Sequence, residues 1–425
     1  MSMRQFSHFS LSDWLVHLEN RHPQEIQLGL TRIQKVARDL NLLDLAVPVI
    51  TVAGTNGKGS TVSALEAIYL AAGYQVGSYT SPHLFAFNER IRINGQPIED
   101  NDLCEAFANI EHGRGDTPLT YFEMATLAAL WHFKQLPLDL IVLEVGMGGR
   151  LDATNIIDAD LAIITTIALD HEQFLGRNKE AIGFEKAGIL RSNIPFIYAD
   201  IEPPISIRTA ARNLGTRMLC LEEHYSYLSF SDHLQITCMG KTWEPLPSPA
   251  INHKAATAAV IASYLLRTRL AISPCHWQSA MQRVCLMGRQ QFIKGEVAAV
   301  FDVAHNPQAV MLLADFIKKI NCKGTVHGVF SALQDKDLYG LIKPMHAHIA
   351  EWYPALLCNK RAASESALMT AFEQALNKKP MCHQNPIKAF QAALTQANPG
   401  DLIVVYGSFV TVGELLAKYQ AGELK

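Results

Sequence analysis

The chain has 425 residues, of which 49% are hydrophobic, and a formal net charge of -3 at pH 7. This length predicts two domains, and the charge argues against the lysine- and arginine-rich surfaces on which non-specific nucleic-acid binding depends. No apolar run reaches the roughly 18 residues that span a bilayer and the first residues lack a signal-peptide core, so we expect a cytoplasmic protein without membrane attachment.

A buried strand followed by a glycine-rich loop opens the first domain. The strand is predicted at residues 48–52, the loop is Gly54-Thr-Asn-Gly-Lys-Gly-Ser60, and a helix is predicted from Thr61 to Ala72. Such glycines let backbone amides approach a phosphate, and the helix N-terminus and Lys58 add positive charge. The first glycine of the common phosphate-loop pattern is missing, and Gly59 stands where a magnesium-binding hydroxyl is usual. The segment therefore predicts a variant phosphate-binding loop.

Apolar runs then alternate with helical stretches, which is typical of a mostly parallel sheet flanked by helices. Buried parallel strands are predicted at residues 48–53, 138–145, 161–167 and 195–198. Between residues 225 and 243 the pattern changes to polar-apolar alternation, which predicts a small antiparallel patch. The first domain is therefore predicted to be a phosphate-loop type of α/β domain.

Polar side chains follow several of these strands. Ser81 lies in the loop after a short strand, Glu144 follows the strand at residues 138–143, and His171 follows Asp170 after another. Functional groups of open parallel sheets collect beyond the carboxyl ends of the strands, so we expect these side chains beside the phosphate loop. Each alone would more often be an ordinary solvated side chain. Their shared edge favours a magnesium site, with Ser81 replacing the missing hydroxyl.

A connector at residues 287–291 separates a second α/β alternation from the first. Strands are predicted at residues 297–301, 325–330 and 401–406, with a helix at residues 307–320. The predicted domains are therefore residues 1–287 and a smaller, doubly wound, Rossmann-like domain of residues 288–425. The eight cysteines form no Cys-x-x-Cys pair, which favours reduced thiols over a zinc site or a disulfide framework.

Several ordered motifs carry a family resemblance over nearly the whole length. They are Gly54–Ser60, Thr80–Leu84, Leu143–Asn155, Leu169–His171, Glu185–Ile189, Gly288–Arg289, Phe301–Pro307 and Gly407–Phe409. Together they resemble the bacterial bifunctional dihydrofolate synthases/folylpolyglutamate synthases, relatives of the Mur cell-wall ligases. The resemblance implies a Mur-ligase-like central domain that binds ATP and pterin, followed by a Mur ligase C-terminal type of domain on the glutamate side.

The resemblance also implies roles for individual residues. The predicted ATP-binding residues are Gly57, Lys58, Gly59, Ser60, Arg289 and Asp302. The predicted magnesium ligands are Ser81, Glu144 and His171. Lys186 matches the family's carbamylated lysine, and His305 matches a residue of the C-terminal domain that faces the active cleft.

Two segments match the substrate-binding segments of the dihydropteroate-using enzymes. Their residues are Thr120, Tyr121, Phe122 and Glu123, and Leu151, Asp152 and Ala153. The segment Ile26–Arg32 resembles their N-terminal substrate loop. These matches favour the bifunctional enzymes over pure polyglutamylases, although for Phe122 a plain core position is equally compatible.

Two positions depart from the family pattern. Lys254 precedes Ala255-Ala256, where the family has an asparagine that contacts the nucleotide, and the nearest asparagine is Asn252. Val410 replaces a frequent histidine near the C-terminus. These departures leave open whether Asn252 or Lys254 takes the asparagine's role.

The resemblance implies a ligase that uses ATP and Mg²⁺ and forms ADP. Its expected small-molecule substrates are dihydropteroate, reduced folates and L-glutamate, and we expect a monomer that binds no nucleic acid. The alternatives are a Mur-type ligase of UDP-linked peptides, a monofunctional folylpolyglutamate synthase, or an ATP-hydrolysing switch or motor. Switches and motors usually carry aspartate where Glu144 stands, which disfavours the last class.

Overall fold

The computed structural model describes residues 6, 8–22 and 26–424 of the chain. Contacts divide these residues into two compact units. The N-terminal unit takes its residues from Met1–His83 and Phe87–Cys285, and the C-terminal unit from Leu84–Ala86 and Leu286–Lys425. The sequence placed the boundary after residue 287, and its periodicity gave no sign that Leu84–Ala86 belongs with the second unit.

An eight-stranded sheet forms the centre of the N-terminal unit. Its strands are β1 (Val49–Ala53), β2 (Val76–Tyr79), β3 (Ile91–Ile93), β4 (Gln96–Pro97), β5 (Leu140–Glu144), β6 (Leu161–Ile164), β7 (Pro195–Tyr198) and β8 (Arg217–Cys220). Their spatial order is β4-β3-β2-β5-β1-β6-β7-β8. All neighbours pair in parallel except β2 with β3 and β3 with β4. Every residue of β1, β5 and β6 is buried, as continuous apolar strands covered on both faces require.

Helices cover this sheet. They are α1 (Leu11–Arg21), α2 (Thr31–Asp39), α3 (Lys58–Ala71), α4 (Asp100–Gly113), α5 (Tyr121–Lys134), α6 (Glu172–Leu175), α7 (Lys179–Ala187), α8 (Ile205–Asn213), α9 (His253–Leu265) and α10 (Pro274–Arg283). Short 3-10 helices lie at Phe87–Arg90 and Ala153–Ile156. In the part of the chain that the structure describes, no helix combines the length and apolar character needed to cross a membrane.

The predicted antiparallel patch is confirmed. It consists of β9 (Tyr225–Ser229), β10 (His233–Cys238), β11 (Lys241–Thr242) and β12 (Leu246–Pro247). All three partners pair with β10 in antiparallel fashion. Burial alternates along β10 between buried and half-buried residues, as the polar-apolar sequence pattern predicts for a sheet with one covered face.

The C-terminal unit is a five-stranded sheet flanked by helices, so the predicted fold class is confirmed. The strands are β13 (Gln291–Ile293), β14 (Ala298–Asp302), β15 (Val326–Phe330), β16 (Glu351–Pro354) and β17 (Leu402–Tyr406), in the order β13-β14-β17-β15-β16. The helices are α11 (Pro307–Ile320), α12 (Leu338–Ile342), α13 (Glu365–Leu376), α14 (Pro386–Gln396) and α15 (Phe409–Gln420), with a 3-10 helix at Lys343–Met345. Only β13 is antiparallel within this sheet.

Alternate residues of the C-terminal strands enter two separate cores. Val300 and Val404 belong to one cluster, whereas Phe301 and Val405 belong to the other. Successive side chains of a strand point to opposite faces of the sheet, so helices must cover both faces. All eight cysteines are free in the structure.

A buried carboxylate ties the first helices of the N-terminal unit together. Glu111 of α4 pairs with Arg21 of α1 and with Arg114, and only 3% of its side chain is exposed. Arg21 also donates to the carbonyl oxygen of Leu119 at 2.8 Å. Burial raises the pKa of Glu111, but the hydrogen bond from Arg114 and the charge of Arg21 outweigh it, so the net shift is downward. Glu111 is therefore ionised at neutral pH.

We expect Glu111→Gln to lower the free energy of unfolding at pH 7 by about 3 kcal/mol, because it leaves two arginines without their buried partner. A carboxyl whose pKa is lowered in the folded state stabilises the protein above its unfolded pKa, and this contribution is lost as the pH falls through the folded pKa. The difference in the free energy of unfolding between variant and wild type should therefore shrink below about pH 4. Urea unfolding would measure it, with the exposed Glu105→Gln of the same helix as control. Equal unfolding midpoints for all three proteins would contradict this account.

Candidate active site

Four neighbouring strands bring the predicted residues of the N-terminal unit to one edge of the sheet. The order β2-β5-β1-β6 places the loop of Ser81, the carboxylate of Glu144, the phosphate loop and the segment leading to His171 side by side. Tyr79 pairs with Leu143, and Val52 pairs with Glu144, so the strand ends lie at nearly the same level. The expected gathering of these residues at one sheet edge is present in the structure.

The phosphate loop is held by two threonines that follow β6. Thr165 Oγ1 donates to the carbonyl oxygen of Asn56 at 2.6 Å, and Asn56 N–H donates to Thr166 Oγ1 at 3.0 Å. Gly54 has a φ of +145°, and a Cβ atom there would lie 1.8 Å from Thr165 Oγ1. Only glycine tolerates both this positive φ and the close approach of Thr165. Thr165 and Thr166 were not among the predicted site residues, although two adjacent threonines at the end of a strand beside the loop indicate hydroxyl groups that can hold it.

Helix α3 begins earlier than predicted. Gly57 has a φ of 88° and is the N-cap residue, so Lys58, Gly59 and Ser60 form the first turn. The prediction of a start at Thr61 was wrong because glycine lowers helix propensity, yet a glycine in the left-handed region can precede a helix directly. The amides of this first turn lack intrahelical acceptors, which makes them anion-binding donors.

Lys58 folds back over the loop. Its Nζ donates to the carbonyl oxygens of Gly54 at 3.1 Å and Thr55 at 3.4 Å. The ammonium group therefore lies over the loop that precedes α3, where the positive end of the helix dipole adds to its charge.

The predicted metal donors are a carboxylate, a hydroxyl and an imidazole. Glu144 is 4% exposed at the end of β5, and its Oε2 accepts a hydrogen bond from the backbone N–H of Ser81 at 3.2 Å. His171 adopts a left-handed conformation with a φ of 52° as it precedes α6. A buried carboxylate in contact with the Ser81 backbone, together with a hydroxyl and an imidazole from loops at the same sheet edge, is a donor set that suits a hard divalent cation such as Mg²⁺ or Mn²⁺.

Lys186 is a buried lysine on α7, with 3% of its surface exposed. Burial, together with the charge of Lys58, lowers its pKa to about 7. Helix α7 lies close to the loop after β5, because a Cβ atom at Gly149 would be 2.9 Å from the carbonyl oxygen of Glu185. The amine of Lys186 is therefore neutral in a large fraction of molecules at physiological pH.

The first substrate segment begins α5, and its polar side chains are structurally engaged. Thr120 and Glu123 form a capping box at the N-terminus of this helix. Glu123 is 3% exposed and also accepts a hydrogen bond from Arg32 at 3.0 Å. Tyr121 and Phe122 remain half-buried, so they are the members of the segment with free surface.

The second substrate segment contains a buried carboxylate. Asp152 accepts hydrogen bonds from Met147 N–H at 2.9 Å and from Thr154 Oγ1 at 2.7 Å. Burial raises its pKa against the opposing effect of these hydrogen bonds. Leu151 accepts from Gly29 N–H at 3.2 Å, and Ala153 begins a 3-10 helix. The described residues 26–32 of the predicted substrate loop therefore lie beside this segment.

Phe122 lies against the glycine-rich turn after β5. A Cβ atom at Gly146 would be 2.5 Å from its ring, and the Tyr79 ring centroid is 5.9 Å away. The ring is thus fixed by a close backbone approach while one part of it remains accessible. This placement is compatible with stacking on a planar ligand.

The predicted residues of the C-terminal unit cluster at the end of β14. The Asp302 carboxylate accepts from Gln290 N–H at 2.8 Å and Ala304 N–H at 2.7 Å. Burial raises the pKa of Asp302, and the charge of Arg289 opposes that shift. The Arg289 guanidinium carbon is 4.9 Å from the Phe409 ring centroid, and His305 Nδ1 is 2.9 Å from the carbonyl oxygen of Val303.

The two candidates for the family's asparagine both have structural partners. Asn252 is the N-cap residue of α9, and its side-chain oxygen accepts from the N–H groups of Lys254 and Ala255. Lys254 Nζ lies 2.6 Å from Asp200 Oδ1. The amide nitrogen of Asn252 has no capping role and keeps its two N–H donors, while the Lys254 ammonium group uses one of its three donors on Asp200.

Two family models match the chain. The Mur ligase middle domain matches residues 52–213, and the Mur ligase glutamate ligase domain matches residues 288–409. The dihydrofolate synthase/folylpolyglutamate synthase of Escherichia coli strain K12 is 42% identical over 407 residues, which cover 96% of this chain and 94% of that protein. The chain belongs to the dihydrofolate synthase/folylpolyglutamate synthase family.

Solved structures of this family resemble the whole chain. Escherichia coli FolC in complex with DHPP and ADP has a TM-score of 0.93 at 40% identity, covering 98% of this chain and 99% of that chain. A bifunctional folylpolyglutamate synthase/dihydrofolate synthase with Mn, AMPPNP and L-glutamate bound has a TM-score of 0.91 at 39% identity, covering 97% and 98%. The dihydrofolate synthase/folylpolyglutamate synthase fold is therefore present in both units.

We expect Gly54→Ala to weaken ATP binding at least tenfold, because the new methyl group cannot coexist with Thr165 and the loop must move. Isothermal titration calorimetry would give the two dissociation constants. The matched control is Gly73→Ala, which also introduces a side chain at positive φ, +87°, but meets no atom within 4 Å. If both variants bind ATP like the wild type, the loop does not depend on this contact.

We expect Lys186 to take up carbon dioxide as a carbamate, because only a neutral amine reacts. With a pKa of about 7, half of the amines are neutral at pH 7, against about one in 2,500 for an ordinary lysine. A carbamate signal in ¹³C NMR with labelled bicarbonate should therefore grow from pH 6 to pH 8 and vanish in Lys186→Arg. The exposed Lys179→Arg of α7 should keep it. A signal that persists in Lys186→Arg would refute the assignment.

Proposed function

We propose that this chain is an ADP-forming ligase that joins L-glutamate to dihydropteroate and to the γ-carboxyl group of reduced folates. The match of both units to the dihydrofolate synthase/folylpolyglutamate synthase family carries the proposal. Relatives with DHPP and ADP, or with AMPPNP, Mn and L-glutamate, bind the ligands that this reaction needs. The arrangement of the sheet edge supports it independently, because phosphate-binding and metal-binding groups lie beside the substrate segments.

The N-terminal unit supplies the phosphate contacts in this proposal. The backbone amides at the start of α3 and the Nζ of Lys58 bind the phosphates of ATP, and Gly57 and Gly59 let the backbone approach them. Ser81, Glu144 and His171 hold Mg²⁺, which supplies positive charge that offsets the charge of the phosphates. Carbamylated Lys186 would add one negative charge near these groups.

The reaction needs an activated carboxylate. The substrate carboxylate attacks the γ-phosphorus of ATP, so that a carbon-bound oxygen becomes part of an acyl phosphate and ADP leaves. The amine of glutamate then attacks the acyl carbon, phosphate departs, and an amide forms with loss of one proton from the nitrogen. The residues of the chain position the reactants and screen their charges.

Substrate recognition rests on the two segments beside the sheet edge. Phe122 and Tyr121 offer ring surface to the planar pterin and aminobenzoyl groups. Asp152 is buried, and a carboxyl group in such surroundings suits the hydrogen-bond donors of a pterin ring. In the C-terminal unit we assign Arg289 and Asp302 to the nucleotide and His305 to the glutamate side.

We also propose that the protein works as a cytoplasmic monomer that binds no nucleic acid. The net charge of -3 supports the last point, because phosphate backbones attract basic surfaces. Folate-type substrates are small, charged molecules, which is compatible with an enzyme that needs no membrane.

ADP release would test the function directly. We expect ADP formation with dihydropteroate plus L-glutamate, and with tetrahydrofolate plus L-glutamate, and little without glutamate, because the acyl phosphate awaits the amine. A coupled pyruvate kinase assay measures ADP, and mass spectrometry identifies the products. The formation of AMP and pyrophosphate instead of ADP would contradict the proposal.

The same assay separates the alternatives. Turnover of tetrahydrofolate alone would indicate a monofunctional folylpolyglutamate synthase, turnover of a UDP-linked peptide would indicate a Mur-type ligase, and rapid ADP release without glutamate would indicate a switch or motor.

A further inference from the structure

Arg90 is a half-buried cation next to the loop that carries Ser81. It ends the 3-10 helix Phe87–Arg90, and its carbonyl oxygen accepts a hydrogen bond from Thr80 N–H at 2.8 Å. This backbone contact fixes Arg90 beside Thr80, and Ser81 is the next residue along the chain. The side chain of Arg90 therefore originates at the predicted metal-binding loop.

Aromatic rings and a histidine hold the guanidinium group. Its carbon lies 5.0 Å from the Phe87 ring centroid and 5.5 Å from the Tyr121 ring centroid. Its Nε donates to His83 Nδ1 at 3.0 Å. These contacts orient the planar group and stabilise its charge without neutralising it. The terminal nitrogens, which carry four of the five N–H donors, keep their hydrogen-bonding capacity.

Other partly buried arginines of the same unit pair with carboxylates. The pairs are Arg21 with Glu111, Arg32 with Glu123, Arg92 with Glu66, and Arg114 with Glu111. Among the residues that the structure describes, Arg90 has no such ion pair. An unpaired cation in partly desolvated surroundings costs free energy, which an anionic ligand would recover.

The position of Arg90 identifies the part of the ligand that it meets. On one side lies the Ser81 loop, whose backbone contacts Glu144, and on the other lies Tyr121, the neighbour of Phe122. A substrate with its rings at Phe122 and its reacting carboxylate at the metal donors would extend from the start of α5 towards the Ser81 loop, and Arg90 contacts both of these elements. We therefore expect Arg90 to contact the part of the substrate that lies between the aminobenzoyl ring and the reacting carboxylate.

We propose that Arg90 binds the α-carboxylate of the terminal glutamate of a folate substrate and so presents the γ-carboxylate for phosphorylation. This inference rests on the function proposed above. Dihydropteroate has one carboxylate, which must react, whereas a folate has two on its terminal glutamate. A fixed guanidinium group can hold one carboxylate through two parallel hydrogen bonds, which leaves the other as the only free nucleophile.

The test compares two substrates in the full-length protein. With Arg90→Gln we expect kcat/KM for tetrahydrofolate to fall about 10- to 100-fold, mainly through KM, because one charged hydrogen-bonded contact is lost. The ratio of kcat/KM values, tetrahydrofolate over dihydropteroate, should fall at least tenfold. Arg90→Lys should recover part of this ratio because it keeps the charge.

Product analysis supplies a second readout. The fraction of α-linked diglutamate, measured by NMR, should rise in Arg90→Gln. The matched control is Arg92→Gln, two residues further on, which breaks the buried pair with Glu66 and should lower stability without changing the substrate ratio. An unchanged ratio in Arg90→Gln, or an equal loss for both substrates, would overturn the inference. Failure of wild-type protein to use either substrate would instead refute the proposed function.

Discussion

The close approach of Gly54 to Thr165, the residue after β6, is the constraint on which the candidate active site depends. Parallel pairing of β1 with β6 brings Thr165 against the loop, and the loop can approach so closely only because residue 54 has no side chain. The carbonyl and amide of Asn56 are then satisfied by the two threonine hydroxyls. With the loop fixed, the first turn of α3 follows it directly, and the Nζ of Lys58 folds back onto the carbonyl oxygens of Gly54 and Thr55.

Burial influences the protonation of the titratable groups at this edge of the N-terminal sheet. Glu144 and Asp152 are buried carboxylates that keep backbone hydrogen-bond partners, whereas Lys186 is a buried amine whose pKa is lowered by its burial and by the charge of Lys58. The same desolvation that makes a neutral lysine stable also makes an uncompensated arginine costly. Lys186 and Arg90 therefore illustrate two ways to reduce the cost of a desolvated positive charge: lysine can lose its proton, whereas arginine keeps its charge and gains from an anionic ligand.

The sequence predicted the strand cores well and the details of the loops less well. Strand β7 and helix α11 were predicted with their observed bounds, because each apolar segment begins at a proline and is followed by a polar residue within two positions. The start of α3 was wrong, since helix propensity counts against Gly59 and ignores the left-handed Gly57 that precedes it. The pattern Thr-x-x-Glu indicates that Thr120 and Glu123 can form a capping box. The sequence gives no indication that Arg32 pairs with Glu123, because the two residues are 91 positions apart in the chain.

The short segment Leu84–Ala86 changes how the two units are connected covalently. The chain leaves the N-terminal unit after His83, returns at Phe87, and leaves again after Cys285. Leu84 packs into the C-terminal core, and a Cβ atom at Gly413 would lie 2.2 Å from its carbonyl oxygen. A protease that cut the connector near residue 286 would therefore not release two independent halves. A gene fragment that began at residue 286 would encode a C-terminal unit without the Leu84 side chain that packs against its core, so the two units do not correspond to two consecutive pieces of sequence.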